Sequence, residues 1–230
     1  MPNNSNYHAA TLLARHNRFV VSVQWPDGSV TPAHCPNTGS LKTVLAPPQP
    51  CWVQATPHNK LPHRVVALQT GGTWVGIYPL LANTLVAKAL AQGALAPFSD
   101  YNHAQAEVPY LPGHRADFCL TAATGRRCWV EAKSVSMATD SIAQFPDSVS
   151  ARATKHLHGL IEMVKRGDAA SVIFVVQRAD CQHFSPAAGL DPAFATALGQ
   201  AIAAGVTVYA YSCQVTQKGI ALHQPLAVKV

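Results

Sequence analysis

Charge is what this 230-residue chain has least of. Asp, Glu, Lys and Arg make up 12% of it, about half the usual share. Acids are scarcer than bases, 11 against 17, so the chain carries +6 with an isoelectric point near 9.1. Aromatics, at 7%, are not enriched, which argues against a protein that reads bases by stacking. Apolar runs are short: the stretch Val172 to Val176 is typical, far below the ~20 residues of a spanning helix. Met1 to Tyr7 is polar and lacks the apolar core of a secretion signal, so a cytoplasmic, membrane-free protein is expected. The six cysteines contain no C-x-x-C pair and the eleven histidines no H-x-x-x-H pair. That excludes the usual zinc spacings and predicts six reduced thiols, several of them buried as small hydrophobes.

What is present is 48% hydrophobic residues, enough for a packed core and incompatible with a disordered chain. Up to residue 77 the pattern is all-β. Short apolar or alternating runs at Thr11–Ala14, Phe19–Trp25, Cys51–Ala55, Arg64–Gln69 and Thr73–Ile77 are separated by turn signals. These are Pro26-Asp27-Gly28, Pro36-Asn37-Thr38-Gly39, Pro47-Pro48, His58-Asn59 and Gly71-Gly72. Five or six short strands predict a small barrel over residues 1–77. From residue 78 the period changes. Helices are predicted at Pro79–Leu95, Val149–Arg166 and Pro192–Ala204. Strands are predicted at Ala106–Tyr110, Arg115–Thr121, Arg127–Val135, Ser171–Gln177 and Val206–Tyr211, followed by a short β tail. The fold class is therefore mixed α/β: a β-barrel, then an α/β domain over 78–230 in the order α-β-β-β-α-β-α-β. Phe194, Leu198 and Ile202 are expected to form the buried stripe of the last helix.

Because acids are few, those inside apolar strands stand out. Asp117 lies in one such strand, Glu131 and Lys133 in the next. Residues i and i+2 of a strand share a face, so Glu131 and Lys133 project together while Val130 and Ala132 turn into packing. A hairpin brings Asp117 beside Glu131, with the Ala132 carbonyl near the same face. Two carboxylates about 4–5 Å apart repel each other and attract a hard cation. Mg²⁺ or Mn²⁺ suits such oxygen ligands. Lys133 is then placed to orient a water and to stabilise developing negative charge. The plainer alternative is a structural salt bridge between Lys133 and one of the acids. Glu107, on the preceding strand, is either a third metal ligand or an ordinary exposed residue.

The spacing D-x(13)-E-x-K across two strands after a helix resembles the PD-(D/E)xK nuclease superfamily. A second resemblance covers the chain from about Ala9 to its end. The segments His34-Cys-Pro-Asn-Thr-Gly39, His114-Arg-Ala-Asp-Phe118, Val130-Glu-Ala-Lys-Ser-Val135, Phe145-Pro-Asp147 and Lys155-His-Leu157 are similar in content and order to the sugar fermentation stimulation protein A family. That resemblance implies an N-terminal OB-fold joined to a PD-(D/E)xK-type domain, DNA binding, and a regulatory link to sugar (maltose) metabolism. It assigns Asp117, Glu131 and Lys133 to the nuclease-like site. Many members of the superfamily add a Glu on the first core helix, but Pro79–Leu95 contains no acid. Two functions follow: a metal-dependent nuclease, or a DNA-binding regulator that keeps the fold without turnover.

For the nucleic acid, Arg152, Lys155 and His156 lie three and four apart on one helix face, suited to a phosphate. Asn37 and Thr38 sit in a turn able to present donors to an anion. Arg15 and Arg18 flank the first barrel strands, and Arg115 adjoins Asp117. Trp25, Trp52 and Trp74 are either stacking platforms or barrel core. Asp147 is expected to serve the N-terminus of the following helix. Charge is unevenly spread: five basic residues against one acid in 1–80, five against six in 81–150, seven against four in 151–230. Two basic flanks around an acidic centre fit non-specific, salt-dependent binding to DNA. A homodimer is compatible with the sequence.

Overall fold

The computed structural model describes residues 7–56 and 59–230. Met1 to Asn6, Pro57 and His58 lie outside it, and with them most of the polar N-terminal stretch and the first residue of the expected His58-Asn59 turn.

Six strands build the first sheet: β1 (His8–Arg15), β2 (Val20–Gln24), β3 (Val30–His34), β4 (Gln49–Ala55), β5 (His63–Thr70) and β6 (Thr73–Gly76). Their order is β3-β2-β1-β4-β5-β6, and a further contact of β3 with β5, His34 opposite Arg64, closes the sheet on itself. Alternation directs Leu12, Val21, Val23, Cys51, Val53, Val65, Leu68 and Val75 into one core. The β2–β3 turn closes because the Asp27 carboxylate accepts from the Ser29 N–H and hydroxyl while Gly28 takes φ +87°. Strand β3 was not expected, since Pro32 interrupts its run. It forms because β3 lies at the end of the strand order, where a missing N–H is tolerated.

Trp25 packs against the barrel core, as one of the two expected places requires, whereas Trp52 and Trp74 take neither. Trp52 and Trp74 stack on each other, centroids 3.8 Å apart, and pack with Tyr7 and Val66 against Val215 and Ile220 of the second sheet. They join barrel to α/β domain. Trp25 meets His63 edge-on and donates Nε1–H to the Thr31 hydroxyl.

The second sheet has nine strands. They are β7 (Tyr101–Leu111), β8 (His114–Ala122), β9 (Arg127–Val135), β10 (Ala138–Thr139), β11 (Ile142–Phe145), β12 (Ala169–Val176), β13 (His183–Pro186), β14 (Thr207–Thr216) and β15 (Gly219–Val228). The order is β10-β11-β13-β15-β14-β12-β9-β8-β7. Strand β12 runs parallel to both β9 and β14 and is buried over nearly its whole length, the reason for its unbroken apolar sequence. Helix α1 (Leu81–Ala91) covers one face over Phe118, Leu120, Val130, Ala132, Ile173 and Val175. Helices α2 (Ala151–Lys165) and α3 (Pro192–Ala203) cover the other over Trp129, Val172, Phe174 and Val176.

Several boundaries differ from expectation for local reasons. Helix α1 stops at Ala91, not Leu95, because Gly93 adopts φ +64° just past the C-cap. Helix α2 starts at Ala151: Ser150 caps it by accepting from the Ala153 N–H, and Val149 stays 74% exposed. In α3, Asp191 caps and Pro192 opens the helix, but Ile202 is 41% exposed, and Ala201 takes the buried position. The short β10, β11 and β13 were not foreseen. β10 pairs with its neighbour β11, β11 and β13 are held by pairing with distant partners, and Phe145 of β11 packs on Phe174 and Phe194, which anchors the chain as it enters the cleft described next.

Candidate active site

An open cleft of about 440 Å³ lies where the barrel meets the α/β domain. Asn37, Thr38 and Gly39 of the barrel form one wall; Asn83, Glu107, Asp117, Glu131, Lys133, Ser134, Asp147 and Arg152 form the others. The segments His34–Gly39, Asp117, Glu131–Ser134 and Phe145–Asp147, far apart in sequence, therefore meet.

The floor is the β8–β9 hairpin. Its paired register runs from Thr121 opposite Arg127 to Phe118 opposite Val130. One step further, at Asp117 and Glu131, side chain replaces ladder: Asp117 Oδ2 accepts the Ala132 N–H at 2.7 Å. The Ala132 backbone thus reaches the site through its N–H. Asp117 Oδ1 accepts from Asn83 Nδ2 of α1 at 2.8 Å. Glu131 is buried, and its Oε1 accepts from Lys133 Nζ and from His156 Nδ1, each at 2.5 Å. Among the described residues, no hydrogen bond uses Glu131 Oε2. Val130 and Ala132 pack under α1, as strand alternation requires.

The two carboxylates have been driven apart electrostatically. Burial and then the Glu131 charge raise the Asp117 pKa, only partly offset by the Ala132 N–H, Asn83 and Lys133. Burial also works to raise Glu131, but the hydrogen bonds from His156 and Lys133, together with the Lys133 charge, outweigh it and hold Glu131 below the ordinary value. Tyr110, behind them, is pushed up to about 12 by burial and by both carboxylate charges. An acid kept charged beside one that ionises reluctantly is the pattern of a functional pair.

Glu107 lines the same cleft. The β7–β8 register steps from Ala106–Phe118 to Val108–Ala116, which leaves Glu107 across from Asp117. Its backbone is left-handed, φ +56°, a strained state for a glutamate. Its side chain is 60% exposed and 3.9 Å from Arg115 Nη1. Among the described residues, no group of three or more His, Cys, Asp or Glu side chains is placed to hold an ion, and Glu107 shares the cleft with Asp117 and Glu131.

The other expected contacts divide. Thr38, Arg18, Arg115 and Arg152 are exposed, while Asn37 is buried with its carboxamide oxygen accepting the Gly39 N–H. Arg15 is committed to the turn: it donates to the carbonyls of Asn17, Arg18, Asn37 and Gly39. Lys155 donates to the Gly113 carbonyl, and His156 turns inward to Glu131. Asp147 does not serve α2. Its carboxylate accepts from the Leu41 N–H and its carbonyl from the Ser40 hydroxyl, so it ties the barrel turn to the cleft. The helix is served by Ser150 and Asp191 instead. Sequence reasoning missed Asn83, for which one signal exists: an Asn inside a helix is unfavourable unless its side chain has work to do. It also missed Gln177, fully buried, which donates to the Ser134 hydroxyl and the Tyr78 carbonyl.

Known proteins resemble this chain in sequence and in fold. Residues 13–77 match the family described as the SfsA N-terminal OB domain, and residues 80–219 the sugar fermentation stimulation protein RE domain. A sugar fermentation stimulation protein homolog of Citrifermentans bemidjiense is 40% identical over 220 residues, 95% of each chain. One from Caulobacter vibrioides is 41% identical over 212 residues, 91% of this chain and 89% of that one. A solved structure, that of Pyrococcus furiosus SfsA in complex with Ca²⁺, matches with TM-score 0.89 at 24% identity over 97% of this chain and 96% of that one. With both halves matched and relatives near 40% identity along almost its entire length, the chain belongs to the sugar fermentation stimulation protein family.

Proposed function

We propose that the chain binds DNA without sequence preference and hydrolyses phosphodiester bonds with Mg²⁺ or Mn²⁺ held by Asp117 and Glu131. The observation that carries this reading is the pair itself. Burial and then the Glu131 charge raise the Asp117 pKa, and both carboxylates line one open cleft, with the hydrogen bonds to Glu131 falling on Oε1. An all-oxygen pair of that kind suits a hard cation and not zinc. The Ca²⁺ bound in the Pyrococcus furiosus structure is in keeping with such chemistry in a chain of this fold. When bound, the cation supplies Lewis-acid polarisation of a phosphoryl oxygen and a lowered pKa for water.

The chain's own groups divide the remaining work. Asn83 and the Ala132 N–H orient Asp117. Lys133, 15% exposed and beside Glu131, orients the attacking water and stabilises charge on the phosphate. Thr38 and Arg152 face the cleft and position the backbone of the nucleic acid. Arg18, Arg115 and Lys155 extend the positive surface, and Arg15 holds the Asn37–Gly39 turn in shape. Asn37 acts from the cleft wall, and His156 acts through Glu131. A regulatory link to sugar metabolism, which the relatives' name suggests, would run through this DNA binding.

A second reading is favoured by two observations: α1 brings Asn83, not an acid, to Asp117, and Lys133 pairs with Glu131 as the plainer salt-bridge alternative expects. The chain would then be a DNA-binding regulator without turnover. Purified protein incubated with single- and double-stranded DNA in Mn²⁺, Mg²⁺ or EDTA separates the two. The nuclease reading expects cleavage that EDTA stops and that Asp117→Ala and Lys133→Ala abolish. Cleavage surviving those substitutions, or none under any condition, overturns it.

A further inference from the structure

We propose that Arg152 and His156 form a positioning dyad for the metal ligand Glu131, so that an arginine touching neither carboxylate tunes cation affinity. The inference rests on the two-carboxylate site proposed above. Its geometry is a chain of three side chains. Arg152 Nε donates to His156 Nε2 at 3.4 Å, and His156 Nδ1 lies 2.5 Å from Glu131 Oε1.

The direction of this chain follows from its donors. A guanidinium has no acceptor, so the nitrogen of His156 that faces Arg152 must accept. In a neutral imidazole the other nitrogen then carries the proton, and Nδ1–H donates to Glu131. Arg152 therefore fixes the tautomer that holds the carboxylate. Helix spacing makes this possible: residues 152 and 156 are one turn apart on α2, which Ser150 caps just upstream. His156 is 15% exposed and Glu131 5%, so the contact is shielded from competing water. Oε1 accepts from both Lys133 and His156, while Glu131 itself lines the cleft. Arg152, exposed at the cleft, is reachable by a backbone phosphate through its Nη groups while Nε stays on His156. Hydrogen-bond partners of metal-ligating side chains commonly contribute 10–100-fold to metal affinity.

This differs from the expectation that His156 touches DNA. A phosphate contact affects DNA affinity in EDTA; a positioning residue affects cation affinity with no DNA present. The test is isothermal titration of the full chain with Mn²⁺, alongside DNA binding in EDTA. His156→Ala is expected to weaken Mn²⁺ binding by about 10–100-fold and to leave DNA affinity in EDTA unchanged. His156→Asn, whose amide N–H2 reaches the place of Nδ1, is expected to recover most of the loss. Arg152→Ala is expected to fall between wild type and His156→Ala, with the metal-free melting temperature unchanged because the residue is exposed. His156→Ala binding Mn²⁺ like wild type overturns the proposal, as does His156→Asn binding no better than His156→Ala. Arg152→Ala matching wild type overturns the arginine's part in it. Wild type that binds no Mn²⁺, or binding that survives Asp117→Ala, overturns the metal site itself, a separate failure.

Discussion

Asp117→Asn is expected to stabilise the metal-free protein while removing its response to metal. The folded-state pKa of Asp117 lies above its ordinary value of 3.8 because of burial and the Glu131 charge. Such a group favours the fold below the ordinary value, where it is protonated in both states. That contribution is lost as pH rises through the raised folded pKa, so at neutral pH the ionised carboxylate opposes folding. Asparagine removes the charge and keeps the shape. Its oxygen can still accept the Ala132 N–H, and the Asn83 amide can rotate to offer its oxygen to the new N–H2. The expected gain is on the order of 1 kcal/mol at pH 7, or about 2–4 °C in melting temperature for a chain of this size. Wild type in Mn²⁺ at 100 times its dissociation constant should gain about 2.7 kcal/mol, roughly 5–11 °C, and the variant almost nothing. Thermal unfolding followed by circular dichroism at pH 7, with EDTA or Mn²⁺, measures both. A variant less stable than wild type in EDTA, or one still stabilised by Mn²⁺, refutes the reasoning.

Three further outcomes are expected. Glu131→Ala leaves the half-buried Lys133 without its partner and should cost about 3 kcal/mol, read as a lower midpoint in urea; an unchanged midpoint contradicts the pairing. The Glu131 contribution is present above its ordinary pKa of 4.5 and lost as pH falls through the depressed folded value, so this difference should shrink in acid. Gly39→Ala places a methyl against both Asp147 carboxylate oxygens and Asn37 Oδ1, so DNA affinity and stability should both fall, with a loss of about 1–3 kcal/mol in urea denaturation. All six cysteines are free and buried, and burial pushes Cys51 and Cys213 up to about 12. A thiol reagent at pH 8 should therefore react slowly with native protein and with six groups after unfolding; rapid native labelling contradicts that burial.

What was legible in the sequence is what strand and helix periodicity dictate. Asp117 falls opposite Glu131 because a hairpin with paired Phe118 and Val130 leaves no other register, and Glu131 and Lys133 share a face because they are two apart. The unbroken apolar run of β12 announced a strand buried on both sides. What escaped depends on partners distant in sequence. Asp147 stands near a helix start, and only its contacts with Ser40 and Leu41 of the barrel reveal another role. His156 and Arg15 read as free cations, yet one faces Glu131 and the other is spent on four carbonyls. Trp52 and Trp74 had to be placed by the packing of one domain on the other, which no local pattern encodes. Among the described residues, no helix is long and apolar enough to cross a membrane, in line with the short apolar runs of the sequence.

The most direct test of the metal-binding account is a crystal structure of the protein soaked in Mn²⁺, with the ion located by its anomalous scattering. The account predicts one Mn²⁺ bound to Asp117 and to Glu131 Oε2, with His156 still on Oε1. Manganese bound elsewhere, or none at the site with Asp117 and Glu131 arranged as in the metal-free protein, would contradict it.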